Sequence, residues 1–357
     1  MTKQSLAAQS VTKQSLVRRP ARLHSGDRVA VVATSWPGST AFPHVYAQGL
    51  DTLREVFGLD VVEYPSTRFT PAEAAGNPEA RAADLNAAFA DPTIAAIFAI
   101  IGGDDSVRIL PFIDIENALA HPKILMGYSD TTTQLLSLAA AGLTTFNGPA
   151  VMAGLAQLRN LPGLEAHMHS ILFEPTDSYD YRPYGYRVGD YPDWNTQPGD
   201  LVGERMPDVG WRWLQGSDAR TGRLTGGCIE VLDMMVGTPS WPAPEFFAGR
   251  ILFLETSEEV PSPAQVGHWL RNYGAQGILS RINGLVFGRP RGYTSEMTAE
   301  LDTIIVERLG EWGATAIPVL AGADFGHIDP QWILPHNVLA ELDPAGDTFR
   351  LLEPAVS

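Results

Sequence analysis

Arg28-Val29-Ala30-Val31-Val32-Ala33 runs straight into Thr34-Ser35-Trp36-Pro37-Gly38. An unbroken apolar run rich in β-branched residues and closed by turn formers predicts a buried strand. Working outward, residues 44–57 read as a helix and Asp60-Val61-Val62-Glu63-Tyr64 as a second strand. Asn77-Pro78-Glu79 opens a helix that reaches Phe89, with proline in its first turn. Strands follow at 94–101 and 123–127, with helical stretches at 107–113 and 131–141. Strands alternating with helices imply a mostly parallel sheet covered on both faces.

The alternation stops at residues 176–222, which are rich in Tyr, Trp, Pro, Gly and Asp and have little periodicity. A loop region of this length is typically a linker, a lid or a binding loop. Beyond it, Cys228–Val236 reads as a helix, 250–255 as a strand, and 263–273 as a proline-initiated helix. A strand at 282–288, a helix at 297–312, a strand at 316–320 and a hairpin over 338–352 complete the pattern. The expected organisation is α/β with two domains. A polar tail spans 1–21, an N-terminal, mostly parallel sheet flanked by helices spans 22–175, and an aromatic substrate loop or linker spans 176–222. A smaller C-terminal α/β domain of swivelling type spans 223–357. The 357 residues fit two domains at roughly 100–200 residues each.

Composition narrows the function. With 25 Lys+Arg against 41 Asp+Glu the formal charge is −16. Phosphate binding needs clustered cations, so nucleic acid polymers and anionic membrane surfaces are unsuitable partners. A single cysteine, Cys228, excludes an intrachain disulfide and the Cys-rich zinc patterns. The first twenty residues lack the apolar core of a signal peptide, and no window approaches the ~18 apolar residues of a transmembrane helix. These features predict a cytoplasmic protein. Thr2-Lys3-Gln4-Ser5-Leu6 recurs as Thr12-Lys13-Gln14-Ser15-Leu16, too short to make a repeat architecture.

Three turns put reactive residues just past buried strands, the place where open α/β sheets bind ligands. Gly127-Tyr128-Ser129-Asp130-Thr131 approximates the strand–turn–helix of a nucleophile elbow. Ser129 reads either as the cap of the following helix or as a nucleophile whose next amide, that of Asp130, helps hold an oxyanion. Gly102-Gly103-Asp104-Asp105-Ser106 reads as a simple turn or as a close backbone approach to ligand, with Gly103 supplying a second N–H. Phe325-Gly326-His327 carries an imidazole suited to general-base work or merely exposed in a loop. Glu255 ends its strand where a carboxylate can orient an imidazole; Glu258 and Glu259 make an ordinary charged loop the alternative. The order Ser…Glu…His has a chemical logic, since a serine hydroxyl needs a base and that base needs an orienting acid.

Ile101–Ser106, Gly127–Asp130, Phe253-Leu254-Glu255, 282–288 and Phe325–Pro330 together resemble the LD-carboxypeptidase family of serine peptidases, which includes microcin C self-immunity proteins. The likeness runs from about residue 22 to 350. It implies Ser129 as nucleophile, His327 as base, Glu255 as its orienting partner, and an oxyanion hole from the amides of Gly103 and Asp130. It implies no metal, no organic cofactor and a homodimer. LD-carboxypeptidases of this family release D-alanine from murein peptides. The immunity type cuts an amide joining an aminoacyl or peptidyl carboxyl to a nucleotide-like group, with a long loop whose aromatics stack on the base.

Here that loop offers Tyr179, Tyr181, Tyr184, Tyr186, Tyr191, Trp194, Trp211 and Trp213. Trp194 and Trp211, with Gly102, are the expected substrate contacts; the alternative is that these rings pack the loop onto its own domains. Gly226-Gly227-Cys228 stands where immunity proteins tend to have Gly-Gly-Asn, and Pro335-His336-Asn337 where many members have Pro-x-Gly. Cys228 reads as a small buried apolar residue and His336 as structural. The expected substrate is a small peptide, a murein peptide or an aminoacyl-nucleotide. A ligand-binding protein without turnover, or a general esterase or amidase, are the alternatives.

Overall fold

A computed structural model describes residues 17–357. The duplicated Thr-Lys-Gln-Ser-Leu lies outside the described residues. The chain is tied to the body before residue 22, where the first domain is expected to begin. Arg18 N–H donates to Gly142 O at 2.7 Å, Thr144 N–H donates to Arg18 O at 2.9 Å, and Ser357 N–H donates to Pro20 O at 2.8 Å.

The first sheet is built from β1 (Arg28–Val32), β2 (Asp60–Glu63), β3 (Ile94–Ala99), β4 (Ile124–Gly127) and β5 (Phe146–Asn147). Its parallel order is β5-β4-β3-β1-β2. Val29, Ala30, Val31 and Val32 are all fully buried, as an uninterrupted apolar run requires when helices cover both faces. The helix Pro78–Ala90 starts on its proline and buries Ala82, Leu85 and Phe89. The helix Thr132–Ala141 ends on Gly142 in the left-handed region, a common helix stop.

The aromatic segment is not one long loop. It holds β6 (Tyr179–Asp180), a hairpin of β7 (Tyr186–Val188) and β8 (Arg205–Pro207), and β9 (Arg212–Gln215). These strands are two to four residues long, too short to show a period of two in sequence. They are held by neighbours distant in the chain. The second sheet adds β10 (Arg220–Cys228), β11 (Ile251–Glu255), β12 (Gly284–Gly288), β13 (Val319–Ala323), β15 (Leu339–Asp343) and β16 (Thr348–Leu351). Its order is β6-β16-β15-β10-β11-β12-β13-β9, so the aromatic segment supplies both edges. β10 to β13 are parallel and the outer strands antiparallel. The short β14 (Leu334–Pro335) crosses back and pairs with β5 of the first sheet.

Helices cover this sheet as well. Pro263–Ala275 begins at a reciprocal cap between Ser262 and Gln265, which satisfies two otherwise free N–H donors. Ser295–Glu311 is capped by Thr294. The two sheets meet beside the serine turn, where Cys228 N–H donates to Thr132 Oγ1 at 3.2 Å.

Candidate active site

The site forms where the C-terminal ends of β3, β4 and β11 converge. β4 ends at Gly127 and the chain turns through Ser129, whose φ of 58° is left-handed. A non-glycine residue there carries backbone strain. The turn holds because Asp130 is buried and stapled to the neighbouring loop. Its Oδ2 accepts the N–H groups of Asp105 (3.0 Å) and Ser106 (2.8 Å), and Ser106 Oγ donates to its carbonyl at 2.6 Å. Arg81, itself fully buried, grips Asp105 at 2.5 Å. Gly102 packs so closely on Ser129 that a Cβ there would sit 2.7 Å from the serine Oγ, so only glycine fits.

Glu255 ends β11 with its side chain 1% exposed. His327 follows β13 in a loop that passes directly over it. At Gly326, with φ of 94°, a side chain would collide with Glu255 Oε2 at 2.6 Å. The imidazole Nδ1 lies 2.7 Å from Glu255 Oε2, and Nε2 lies 3.0 Å from Ser129 Oγ. Tyr128 meets the ring edge-on at 5.0 Å. Serine, imidazole and carboxylate thus form one hydrogen-bonded line from three separate turns.

A second carboxylate reaches the same imidazole. Glu258 Oε2 lies 3.0 Å from His327 Nε2. Its loop is pinned one residue earlier, where Ser257 donates through N–H and Oγ to Glu230 Oε1, both at 2.8 Å. Burial pulls the His327 pKa down, but the charges and hydrogen bonds of Glu255 and then Glu258 reverse this and hold it at about 10. The hydrogen bond from His327 holds Glu258 at about 2, against burial. Burial raises Glu255, with His327 opposing. Burial also lifts Asp329 to about 6.

A cavity of about 370 Å³ opens over Ser129. One side is aromatic, with Trp36, Phe42, Tyr191 and Trp194; the floor is Gly102, Gly103, Ser129 and His327; Asp193 and Glu258 are its carboxylates. Trp194 stands edge-on to Phe42 at 5.4 Å. Among the described residues, no Lys or Arg lines the cavity. Arg291 stacks 3.5 Å over the Tyr191 ring and lines a separate cavity.

Ser129, Glu255, His327, Gly102, Gly103, Asp130 and Trp194 are therefore brought together. Trp211 is not. Its Nε1 donates to Asp347 Oδ1 at 2.7 Å and its ring stands against Trp332 at 5.7 Å, so it packs the second sheet instead of facing the cavity. Tyr181 is likewise buried, stacked on Phe349 at 4.4 Å with its hydroxyl donating to Ile333 O. Packing, the alternative reading of the aromatic segment, holds for these rings. Trp36, Phe42 and Glu258 are cavity residues that the sequence reading did not single out as ligand contacts. Trp36 had a signal, since it sits in the turn ending β1, at the same end of the sheet as the serine turn.

Cys228 is buried, with burial and the nearby carboxylates pushing its thiol well up. Its Sγ and the heteroatoms of Glu255 and His327 all lie within 4.8 Å of one another. The Nδ1–Oε2 hydrogen bond already occupies two members of that group. His336 is buried and held neutral by burial, at about 3.

Two family profiles match the chain. One, described as the LD-carboxypeptidase N-terminal domain, spans residues 29–148; the LD-carboxypeptidase C-terminal domain spans 221–342. A putative carboxypeptidase of Streptomyces coelicolor is 31% identical over 344 residues, covering 95% of this chain and 97% of that protein. The probable murein peptide carboxypeptidase of Bacillus subtilis is 27% identical over 347 residues, covering 96% and 97%. Among solved structures, MccF, the microcin C7 self-immunity protein of Escherichia coli, in complex with glutamyl sulfamoyl guanosine, superposes with a TM-score of 0.82 at 25% identity. That match covers 95% of this chain and 99% of MccF.

Proposed function

Because the chain belongs to the LD-carboxypeptidase family of serine peptidases, we propose that Ser129, His327 and Glu255 are its catalytic triad and that it cleaves an amide between an aminoacyl or peptidyl group and a leaving group bearing a flat ring. The observation that carries the second half is the aromatic side of the cavity, Trp36, Phe42, Tyr191 and Trp194, facing Ser129. A base stacked on such a ring gains roughly 1–3 kcal/mol. The complex of MccF with glutamyl sulfamoyl guanosine is a relative of this shape holding such a conjugate.

The chemistry runs in two steps. Ser129 Oγ attacks the carbonyl carbon as its proton passes to His327 Nε2. Glu255 fixes the tautomer through Nδ1 and stabilises the imidazolium. The tetrahedral oxyanion is held by the N–H groups of Gly103 and Asp130. The C–N bond then breaks, and the imidazolium returns the proton to the departing nitrogen. Water, deprotonated by the same imidazole, hydrolyses the acyl-serine.

A murein carboxypeptidase activity is the competing reading, supported by the name of the Bacillus relative. The cavity speaks against it: a terminal D-alanine carboxylate would meet Asp193 and Glu258 and, among the described residues, no lining cation. Incubation with an aminoacyl-sulfamoyl adenosine and with a murein tetrapeptide, read by mass spectrometry, separates them. Release of the nucleoside sulfamate is expected; release of D-alanine alone would overturn the substrate assignment. The family resemblance also supports a cytoplasmic homodimer, to be checked by fractionation and light scattering. No helix among the described residues is long and apolar enough to cross a membrane.

A further inference from the structure

His327 Nε2 has two claimants. Ser129 Oγ and Glu258 Oε2 each lie 3.0 Å away. The two demand opposite things of the nitrogen. To activate the serine, Nε2 must accept a proton; to bond a carboxylate, it must donate one. With Nδ1 already bonded to Glu255, an imidazole that also serves Glu258 is an imidazolium held between two carboxylates. In that state it is no base. Glu258 is not locked in this position, since its side chain is 56% exposed and lines the cavity.

Distance says what displaces it. Two 3.0 Å contacts share Nε2, so the Glu258 carboxylate lies no more than about 6 Å from Ser129 Oγ. A carbonyl carbon poised for attack sits about 3 Å from that oxygen. The α-nitrogen of an acyl residue lies about 2.5 Å from its own carbonyl carbon. A free α-ammonium group therefore falls within reach of Glu258, in a cavity whose lining among the described residues has carboxylates and no Lys or Arg.

Resting on the amidase reading above, we propose that Glu258 selects substrates with a free α-ammonium on the acyl half. By drawing Glu258 to itself, that ammonium releases His327 Nε2 to take the Ser129 proton. Glu258 is thus a specificity-determining residue that couples recognition to base activation. The substrate class is an aminoacyl conjugate rather than an internally linked or N-blocked peptide. The other groups around His327 do not duplicate this role. Glu255 on β11 is buried on Nδ1, Cys228 on β10 and Asp329 two residues past His327 are buried, and Tyr128 presents its ring edge-on. Glu230 acts on Glu255, and the charge of Arg291 acts on Glu258 and Asp329 from behind Tyr191.

The test compares alanyl-sulfamoyl adenosine with its N-acetyl analogue, on wild type, Glu258→Gln and Glu259→Gln. Glu259 is the exposed neighbour that makes no contact with His327. At pH 7 the wild type and Glu259→Gln are expected to favour the free amine by about tenfold or more in kcat/KM, the scale of a charge-assisted hydrogen bond. The acidic limb of kcat, which reports the enzyme–substrate complex, should lie about one pH unit lower for the free amine. In Glu258→Gln the preference should fall within about twofold and the two limbs should coincide. Cleavage of the N-acetyl conjugate should rise above wild type, a gain that a merely structural role would not produce. Equal cleavage of both conjugates by wild type, or a preference that survives in Glu258→Gln, overturns the inference and leaves the amidase reading standing. Cleavage of neither conjugate overturns the nucleotide reading and this inference with it.

Discussion

The two sides of the cavity are built by opposite means. Ser129, Glu255 and His327 sit on turns fixed by buried polar contacts: Asp130 stapled to two amides, Arg81 on Asp105, Glu255 on Nδ1. The loop carrying Tyr191 and Trp194 is held largely by stacking, with Arg291 3.5 Å over the Tyr191 ring, and is tied further along where Gln157 Nε2 donates to Gly199 O at 2.7 Å. Asp193 bonds to Asn195 within its own loop at 3.0 Å and 2.8 Å, and Trp194 rests edge-on against Phe42. The reacting atoms demand placement within fractions of an ångström, whereas a ring that stacks tolerates adjustment. On the proposed function the side fixed by polar contacts carries the chemistry and, through Glu258, reads the amine, while the stacking side reads the ring.

That contrast is broken most directly at the serine. Ser129→Ala is expected to lower kcat by on the order of 10⁵-fold or more with the circular dichroism spectrum unchanged; activity within tenfold of wild type would remove Ser129 from the chemistry. Next comes the orienting acid. Glu255→Gln keeps the shape but loses the charge that fixes the imidazole, and kcat should fall by roughly 10⁴-fold. The sign of the wild-type pH dependence follows from the same pair. The base works only when neutral and its pKa is raised, so kcat/KM for an N-blocked conjugate, which brings no titrating ammonium of its own, should climb with pH from neutrality through the alkaline range. A plateau already complete at pH 6 would contradict the carboxylate contacts. On the adjustable side the effect is smaller and differently distributed. Trp194→Ala should lower kcat/KM for a nucleotide conjugate by roughly tenfold, mainly through KM, and leave an amide without a ring nearly unaffected.

How much of this was legible in the sequence divides along the same line. Ser129, Glu255 and His327 stand out because each closes a run that forms a turn or strand end locally, and local patterns survive in one dimension. β1, β3 and β11 are legible for the same reason, being apolar runs apart from Arg28 at the start of β1 and Glu255 at the end of β11. The short edges β6, β9 and β14 are not, because the strands they pair with lie far along the chain. Glu258 illustrates the same limit. In Glu255-Thr256-Ser257-Glu258-Glu259 two carboxylates look alike, and only the three-dimensional path of the loop puts one of them on Nε2.

The sharpest form of the comparison lies within the aromatic segment, between Trp194 and Trp211. Both are tryptophans of one loop-rich stretch, and composition cannot tell them apart. Trp211 and Trp213 both donate to Asp347 Oδ1, at 2.7 Å and 2.8 Å, clamping the turn between β15 and β16 to the opposite edge strand. Those two donors hold the Asp347 carboxyl below its ordinary range, the Trp211 bond first. A depressed carboxylate stabilises the fold above its unfolded pKa, and that contribution is lost as pH falls through the lower folded value. Trp211→Ala therefore removes packing against Trp332 and one of the two bonds. Stability should drop by about 2 kcal/mol, read as a lower Tm, while kcat/KM for the nucleotide conjugate stays within about twofold. The Tm deficit should narrow as pH falls toward the range where Asp347 is protonated in wild type as well. If Trp211→Ala instead cost catalysis as much as Trp194→Ala with Tm intact, the division between a selecting ring and a packing ring would be wrong.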